Sequence, residues 1–146
     1  MSMLRIIIII LGVISLSSCA GLKSNNQSNA HALTLKVHVN QNANPSVLRT
    51  SSPIAISVYT LTDINAFNQA KYQDIYNSNV NGVEEIGSWV VWPDKPIKQT
   101  LNISPSIEYI GIVAHYRQLQ GKTWKVVKKI RWYRRSIAIN VTQYGI

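Results

Sequence analysis

The chain has 146 residues, and its 15 lysines and arginines against 6 aspartates and glutamates give a formal net charge of +9 at pH 7. Its one cysteine, Cys19, has no partner for an internal disulfide, so core packing alone must stabilise the fold. A chain of this length can form one domain with a real core, and the basic balance favours anionic surfaces or acidic partners.

The first 19 residues have the pattern of a bacterial lipoprotein signal. Arg5 supplies a positive charge, residues 6–16 are nearly all apolar, and small residues precede the cysteine in Leu16-Ser17-Ser18-Cys19. As a helix the apolar run would extend roughly 16 Å, too short for a hydrocarbon core of about 30 Å. We predict that residues 1–18 are removed and that Cys19 becomes an acylated N-terminus. The alternative is an ordinary signal peptide with an incidental cysteine.

Strand and loop patterns follow the signal. Residues 19–32 are rich in Ser, Asn and Gln and lack hydrophobic periodicity, which predicts a lipidated cysteine followed by a flexible tether. Residues 33–39 alternate apolar and polar, as in a half-buried strand. Residues 41–52 contain an Asn-Pro pair and small polar residues, which predicts a loop longer than a hairpin needs. Residues 54–61 are nearly all apolar and predict a strand buried on both faces or central in a sheet.

One helix is predicted over residues 63–76, with Asp63 as its N-cap. Strand-like segments separated by turns then follow at 86–92, 97–103, 107–118, 124–132 and 136–141. Trp89 and Trp92 are predicted to cover the core or its end. The pattern predicts an all-β domain over residues 33–146, a two-sheet sandwich of about seven to eight strands with a helical insert at about 63–77 after the second strand.

Two segments are similar to those of a known family. The first comprises Ser52-Pro53, Ser57-Val58-Tyr59-Thr60-Leu61, Asp63, Ala66-Phe67, Ala70 and Tyr72. The second is Tyr109-Ile110-Gly111-Ile112-Val113-Ala114-His115-Tyr116-Arg117 followed by Trp124, where the family typically has an "iGvvAaYR" strand and then a Trp. With the lipoprotein signal, their order and spacing resemble the outer-membrane lipoproteins of type VI secretion systems, TssJ or SciN.

This resemblance implies a transthyretin-like β-sandwich on the periplasmic face of the outer membrane. It implies binding to the periplasmic C-terminal region of the inner-membrane protein TssM, alone or within a TssL/TssM membrane complex. In that family the contact is attributed to the loop between the first two strands. Here that loop carries Asn42, Asn44, Pro45, Ser46, Val47, Leu48 and Arg49.

A second candidate surface is a run of cations interleaved with Trp124, Trp132 and Tyr133. It consists of Lys122, Lys125, Lys128, Lys129, Arg131, Arg134 and Arg135. The run predicts either a solvated strand face and loop, or an electrostatic contact with anionic lipid headgroups or an acidic partner surface. Nucleic acid is not an expected partner for a domain tethered outside the cytoplasm.

Residue types suited to catalysis or metal binding are sparse. The three histidines are His31, His38 and His115, and His31 falls in the predicted tether, so we expect no metal site. The carboxylates are scattered apart from Glu84-Glu85, and the sequence has neither a GxSxG serine nor a phosphate-binding glycine loop. We therefore expect no enzymatic activity and no cofactor.

The predicted function is to anchor a secretion complex to the outer membrane. The acylated Cys19 would hold the domain in outer-membrane lipid, facing the periplasm, while residues 41–52 bind a TssM-like partner. Ala20 after the cysteine agrees with outer-membrane sorting, since an acidic residue there is the usual retention signal in enteric-type bacteria. The alternatives are a lipoprotein binding a small ligand or envelope polysaccharide through a pocket of the sandwich, and an uncharacterised periplasmic enzyme.

Overall fold

The computed structural model describes residues 30–146, which form seven strands and two short helices. The strands are β1 (His31–Val39), β2 (Ile54–Leu61), β3 (Val83–Val91), β4 (Ile97–Ile103), β5 (Tyr109–His115), β6 (Lys125–Lys129) and β7 (Ser136–Val141). The helices are α1 (Ile64–Gln69) and α2 (Tyr72–Tyr76), both between β2 and β3. The predicted signal peptide, Cys19 and most of the predicted tether lie outside the described residues.

The strands form two sheets packed face to face. The three-stranded sheet has the order β4-β1-β7, in which β1 pairs antiparallel with β4 and parallel with β7. The four-stranded sheet has the order β3-β2-β5-β6, and all its pairs are antiparallel. The predicted all-β, two-sheet fold with a helical insert after the second strand is confirmed.

Alternation along β1 creates one side of the core. Leu33, Leu35, Val37 and Val39 are at most 1% exposed and face the other sheet, while polar residues between them lie towards solvent. β2 is largely buried on both faces because one face lines the sandwich core and the other lies beneath the helices. A second cluster around Phe67 fills the space between the helices and the four-stranded sheet.

The prediction of one helix over residues 63–76 is wrong. Asp63 does cap α1, accepting a hydrogen bond from the Ala66 N–H at 2.9 Å, but Ala70 and Lys71 adopt extended conformations that end α1 and start α2. Two side-chain contacts stabilise this break. The Asp74 carboxylate accepts from the Lys71 N–H at 3.1 Å, and the Lys125 ammonium binds carbonyls at the end of α1.

Several strand limits differ from the predicted ones, while β2, β4 and β7 match them. β1 begins at His31, so His31 and Ala32 belong to the strand and not to the predicted tether. β3 is displaced towards the N-terminus, and β5 and β6 are shorter than predicted. β6 stops at Lys129 because the next residues form a turn, in which the Arg134 N–H donates to the Arg131 carbonyl at 2.8 Å.

The strand directions place each connection at one of the two ends of the sandwich. The loop end carries residues 40–53, 92–96, 116–124 and 142–146. The entry end carries the start of β1, both ends of the β2–β3 connection that contains the helices, and residues 104–108 and 130–135. β1 runs from one end to the other, about 26 Å for its nine residues. The chain therefore enters the domain at the end opposite the β1–β2 connection.

Candidate functional site

The tip of the β1–β2 loop is a small ordered hairpin. The Ser46 N–H donates to the Thr50 carbonyl at 2.8 Å, and the Arg49 N–H donates to the Ser46 carbonyl at 2.9 Å. The Ser46 and Thr50 hydroxyls are 2.6 Å apart, and Arg49 has a φ of +58°. A turn followed by a left-handed residue is typical of a three-residue hairpin loop, which fixes the positions of Val47 and Leu48.

This hairpin presents two neighbouring apolar side chains to solvent. Val47 is 93% exposed and Leu48 is 84% exposed. One side of the hairpin lines a surface groove of about 720 Å³, whose walls include Pro45, Val47, Arg49, Arg117 and Gln118. These two neighbouring side chains offer apolar area on an ordered tip that a partner surface can cover.

Asn44 lies beneath the loop and supports it from inside. It is only 4% exposed; its Nδ2 donates to the Pro53 carbonyl at 2.8 Å, and its Oδ1 accepts from the Arg117 N–H at 2.9 Å. The Ser52 hydroxyl donates to the Asn44 carbonyl. Of the seven residues predicted at this loop, Asn44 is thus the buried support, whereas Asn42, Pro45, Val47, Leu48 and Arg49 are exposed and Ser46 is half-buried.

Two further exposed aromatic residues at the loop end were not predicted. Trp92 is 55% exposed in the β3–β4 turn, and Tyr144 is 75% exposed near the C-terminus. The Asp94 N–H donates to the Val39 carbonyl at 3.1 Å, which holds the turn against β1. Trp89 and Trp92 are predicted to cover the core or its end; Trp89 packs in part against the core, whereas Trp92 does not. The signal available in the sequence was that Trp92 stands directly before the turn Pro93-Asp94.

The seven predicted cations do not form one surface. Lys122 lies at the loop end, where its ammonium donates to the Gln143 carbonyl at 2.5 Å. The Lys125 ammonium donates to the Phe67, Asn68 and Ala70 carbonyls at 2.7, 2.9 and 2.7 Å, and burial lowers its pKa. The remaining five lie towards the entry end, on β6 and the following turn: Lys128, Lys129, Arg131, Arg134 and Arg135.

A polar network beneath α2 contains a serine next to a histidine. The Ser57 hydroxyl is 2.9 Å from His115 Nε2, and the Tyr72 hydroxyl is 2.7 Å from His115 Nδ1. Burial lowers the pKa of His115, against a smaller opposite effect of Glu85. Ser57 is only 3% exposed and also donates to Ser88, and a tyrosine occupies the place where a serine hydrolase has a carboxylate. The network therefore attaches α2 to the sheet.

The histidines stand apart from one another. His31 packs edge-on against Trp132, His38 contacts Asn140, and His115 belongs to the network under α2. Within residues 30–146, no three histidine, cysteine or carboxylate side chains converge as metal ligands. The helices of this same region are too short to cross a membrane.

The fold and the loop define a class, a small two-sheet β-sandwich with a helical insert on one sheet and a protruding apolar-tipped loop between its first two strands. A family model described as "Type VI secretion lipoprotein, VasD, EvfM, TssJ, VC_A0113" matches residues 31–144, so the chain belongs to this family. The resemblance drawn from the sequence is confirmed. No curated protein matches the chain.

Solved structures of several type VI secretion proteins share the fold. TssJ1 from Pseudomonas aeruginosa superposes with a TM-score of 0.69 at 21% identity, over 80% of this chain and 93% of that one. Lip from Serratia marcescens, described as a membrane-bound component of the system, gives 0.67 at 20% identity, over 78% and 94%. A chain in a structure described as the TssM C-terminal domain from EAEC gives 0.60 at 20% identity, over 78% and 92%.

Family membership places the chain among lipoproteins that are structural components of type VI secretion, a membrane-bound family that is not known as an enzyme family. At 20–21% identity, the superpositions establish the shared sandwich and nothing about individual side chains. Which residues of this chain meet a partner must therefore be argued from its own geometry.

Proposed function

We propose that this protein anchors a type VI secretion membrane complex to the outer membrane. Its acylated Cys19 would hold the sandwich at the periplasmic face, and its β1–β2 loop would bind the periplasmic region of a TssM-like inner-membrane protein. The observation that carries this proposal is the exposed Val47-Leu48 pair on an ordered loop of a type VI secretion lipoprotein.

The loop is suited to binding because its shape is set before a partner arrives. Hydrogen bonds between Ser46 and Thr50 close the tip, and Asn44 attaches its base to Pro53 and Arg117. A preorganised loop loses little conformational entropy on association, so the burial of Val47 and Leu48 is retained as binding free energy. Each Å² of apolar surface that a partner covers at Val47 and Leu48 contributes roughly 25 cal/mol.

The nature of the partner is supported by the comparisons. One chain of the same fold belongs to a structure described as the TssM C-terminal domain, which associates this type of sandwich with TssM in that system. The present chain has the same architecture and belongs to the same family of lipoproteins. A TssM-like periplasmic region is accordingly the partner to test first.

The two ends of the sandwich suit the two parts of the proposed function. The chain enters at His31, at the entry end, whereas the tip of the β1–β2 loop lies at the other end of β1. A lipid anchor joined to the entry end attaches the domain through the end opposite the loop tip, so it does not occupy the residues proposed to bind the partner. Anchoring and binding can then occur at the same time on one molecule.

The loop hypothesis is tested by replacing Val47 and Leu48 with serine in the full-length protein and measuring capture of the TssM periplasmic region. We expect capture to fall at least about tenfold, since each lost apolar anchor removes about 1–2 kcal/mol. The thermal unfolding midpoint should not change, because both side chains are solvent-exposed. Val90→Ser, at a 63% exposed position on β3, is the matched control and should bind normally. Undiminished capture by the double variant would place the interface elsewhere.

The anchor is tested separately by mass spectrometry of the N-terminus and by fractionation of cells. We expect an acylated N-terminal cysteine at position 19 and outer-membrane localisation, both lost in Cys19→Ser. The serine variants at Val47 and Leu48 should stay in the outer membrane. An unprocessed or unacylated N-terminus in the wild-type protein would disprove this half of the proposal without affecting the loop experiment.

A further inference from the structure

We infer that the turn after β6 binds the anionic phospholipid headgroups of the leaflet that holds the acylated N-terminus, and thereby orients the sandwich on the membrane. This turn, residues 130–135, is called here the basic turn. The inference rests on the proposed lipid anchor, but its test measures a different property. It assigns a binding surface to residues that have no part in the proposed contact with TssM.

The basic turn lies against the place where the chain enters the domain. The Thr34 N–H donates to the Arg135 carbonyl at 2.9 Å. The Trp132 and His31 rings meet edge to face, with centroids 4.9 Å apart and an interplanar angle of 87°. Any lipid joined to the N-terminal side of β1 is therefore attached beside this turn.

The covalent link keeps the turn close to the bilayer. Cys19 is 11 residues before Ala30, the first described residue, and a fully extended chain of that length spans at most about 40 Å. The basic turn thus stays within that distance of an acylated Cys19, whereas the β1–β2 loop is farther by about the length of β1. A membrane surface is therefore an anionic partner within reach of the turn.

The side chains of the basic turn have the chemistry of a membrane interface. Arg131, Arg134 and Arg135 are exposed cations, and Tyr133 is 76% exposed between them. The Arg131 Nη1 donates to the Tyr133 hydroxyl at 3.3 Å, and the Arg134 guanidinium lies 5.9 Å from the Tyr133 ring centroid. Amphipathic aromatic residues beside arginines are typical of the headgroup region, where rings enter the interface and cations meet phosphates.

Carboxylates do little to neutralise these cations. Glu108 lies 3.9 Å from Lys129, and both side chains are exposed, at 67% and 60%. Such a surface pair is weak. Of the other acidic residues towards this end, Asp63 follows β2, and Glu84 and Glu85 lie near the start of β3. The β3 strand is at the opposite edge of the four-stranded sheet from β6. Asp63 also caps α1. The local charge is therefore positive and complements an anionic surface.

Binding at the basic turn would also orient the molecule. With the entry end against the headgroups, the long axis of β1 points away from the membrane and presents the β1–β2 loop to the periplasm. A lipid anchor alone holds the domain near the bilayer without setting its direction. Two contacts, acyl chain and basic turn, restrict the tilt of the sandwich.

The test measures cosedimentation of the mature chain carrying Cys19→Ser with vesicles. Removing the acyl group makes binding depend on the protein surface alone. We expect binding to vesicles of phosphatidylcholine with 30% phosphatidylglycerol at low salt, little binding to pure phosphatidylcholine, and release in high salt. Changing Arg131, Arg134 and Arg135 to glutamine should weaken binding at least about tenfold.

The matched control changes Lys36, Lys95 and Lys98 to glutamine. These residues are also exposed and their loss changes the net charge equally, but they lie away from the entry end, so binding should fall by less than about threefold. Equal losses in both triple variants would mean that only net charge matters and would overturn the inference. So would absence of wild-type binding to the anionic vesicles.

Capture of the TssM periplasmic region in detergent distinguishes this inference from the proposed function. The arginine variant should capture TssM as the wild type does, because its changes lie at the opposite end from the β1–β2 loop. If it loses capture while vesicle binding is unchanged, the basic turn is a protein contact and the inference is wrong. Failure of the Val47 and Leu48 test would leave vesicle binding unaffected.

Discussion

The side-chain Oδ1 of Asn44 accepts a hydrogen bond from the backbone N–H of Arg117 at 2.9 Å, joining two connections that are 73 residues apart in the chain. The Asn44 Nδ2 meanwhile donates to the Pro53 carbonyl at 2.8 Å. One buried amide therefore attaches the start of the β1–β2 loop to its end and to the segment after β5. These hydrogen bonds hold the base of the loop and so fix the position of its exposed tip.

Asn44→Ala should destabilise the domain by about 2 kcal/mol, because it leaves a backbone N–H and a carbonyl without their buried partner. Urea unfolding measures this loss. Asn42→Ala, at an exposed position of the same loop, is the control and should change stability by less than about 0.5 kcal/mol. Equal stability of the two variants would mean that Asn44 does not support the loop.

When Arg49 is replaced, the stability of the domain should depend on the shape of the new side chain and not on its charge. Its φ of +58° lies in the left-handed region, which β-branched residues adopt only with strain and asparagine tolerates. Arg49→Val should therefore lower the unfolding free energy by about 1 kcal/mol, and Arg49→Asn should be close to neutral. Thermal unfolding of the two variants provides the comparison. An equal loss of stability in both variants would mean that the guanidinium group, and not the backbone conformation, is what stabilises the loop.

Gly111 provides space for the helical insert. A Cβ at this position would lie 2.6 Å from Cζ of Phe67, a fully buried residue of α1. Gly111→Ala should destabilise the domain by about 2 kcal/mol through overpacking. Phe67→Leu replaces the opposing ring with a smaller side chain. The double variant should therefore lose less unfolding free energy than the two single variants lose together. Simple additivity in urea unfolding would show that the two residues do not compete for the same space.

Lys125 stabilises the break between the two helices. Its ammonium donates to the Phe67, Asn68 and Ala70 carbonyls, so Lys125→Met, which keeps most of the side-chain stem, should cost about 1–2 kcal/mol. Amide hydrogen exchange should increase in α1 and α2 before it does in the sheets. Lys129→Met, at the exposed end of the same strand, should leave both measurements unchanged. A change confined to β6 would contradict this role.

Stability should decrease on mild acidification because of His115. Burial, opposed in part by Glu85, lowers its pKa in the folded protein below the ordinary value of about 6.5. The unfolded chain then binds the proton first, so the stabilisation that is present above about pH 6.5 is lost as the pH falls through the folded-state pKa. The groups that face the ring are Ser57, Tyr72, Tyr76 and Glu85.

His115→Gln should flatten the dependence of the thermal midpoint on pH between about pH 7.5 and about pH 5, because glutamine does not titrate. His38→Gln, at an exposed position near Asn140, is the matched control and should retain the wild-type slope. An unchanged slope in His115→Gln would assign the acid sensitivity to another group.

Local patterns were sufficient for most elements of the fold. β2, β4 and β7 have their predicted limits, and Asp63 is the N-cap of a helix as expected. Each of these features depends on residues that are adjacent in the chain: a run of apolar side chains, a turn-forming proline, or a short polar cap. The prediction of a single helix failed in part because one of the two contacts that stabilise its interruption comes from Lys125, more than 50 residues later.

The seven predicted cations, like the predicted helix, were separated by contacts between residues that are distant in the chain. Lys122 and Arg131 are nine positions apart, and β6 between them carries the chain from the loop end to the entry end. Adjacent charges in the sequence are thus separated across the domain. The residues that the fold does bring together, such as His31 and Trp132, are about 100 positions apart. Such a contact cannot be predicted from the periodicity of the sequence.

The sequence by itself predicted a lipoprotein signal and determined the all-β class and the family resemblance, because each is expressed in contiguous segments and in their order. Only the tertiary structure decided that the chain enters at one end and that the β1–β2 loop projects from the other. It also decided which cations are bound by carbonyls and which are free to meet a surface. The physical reason is that strand pairing, parallel between β1 and β7 and antiparallel elsewhere, assigns every connection to an end, and this pairing depends on contacts between distant residues.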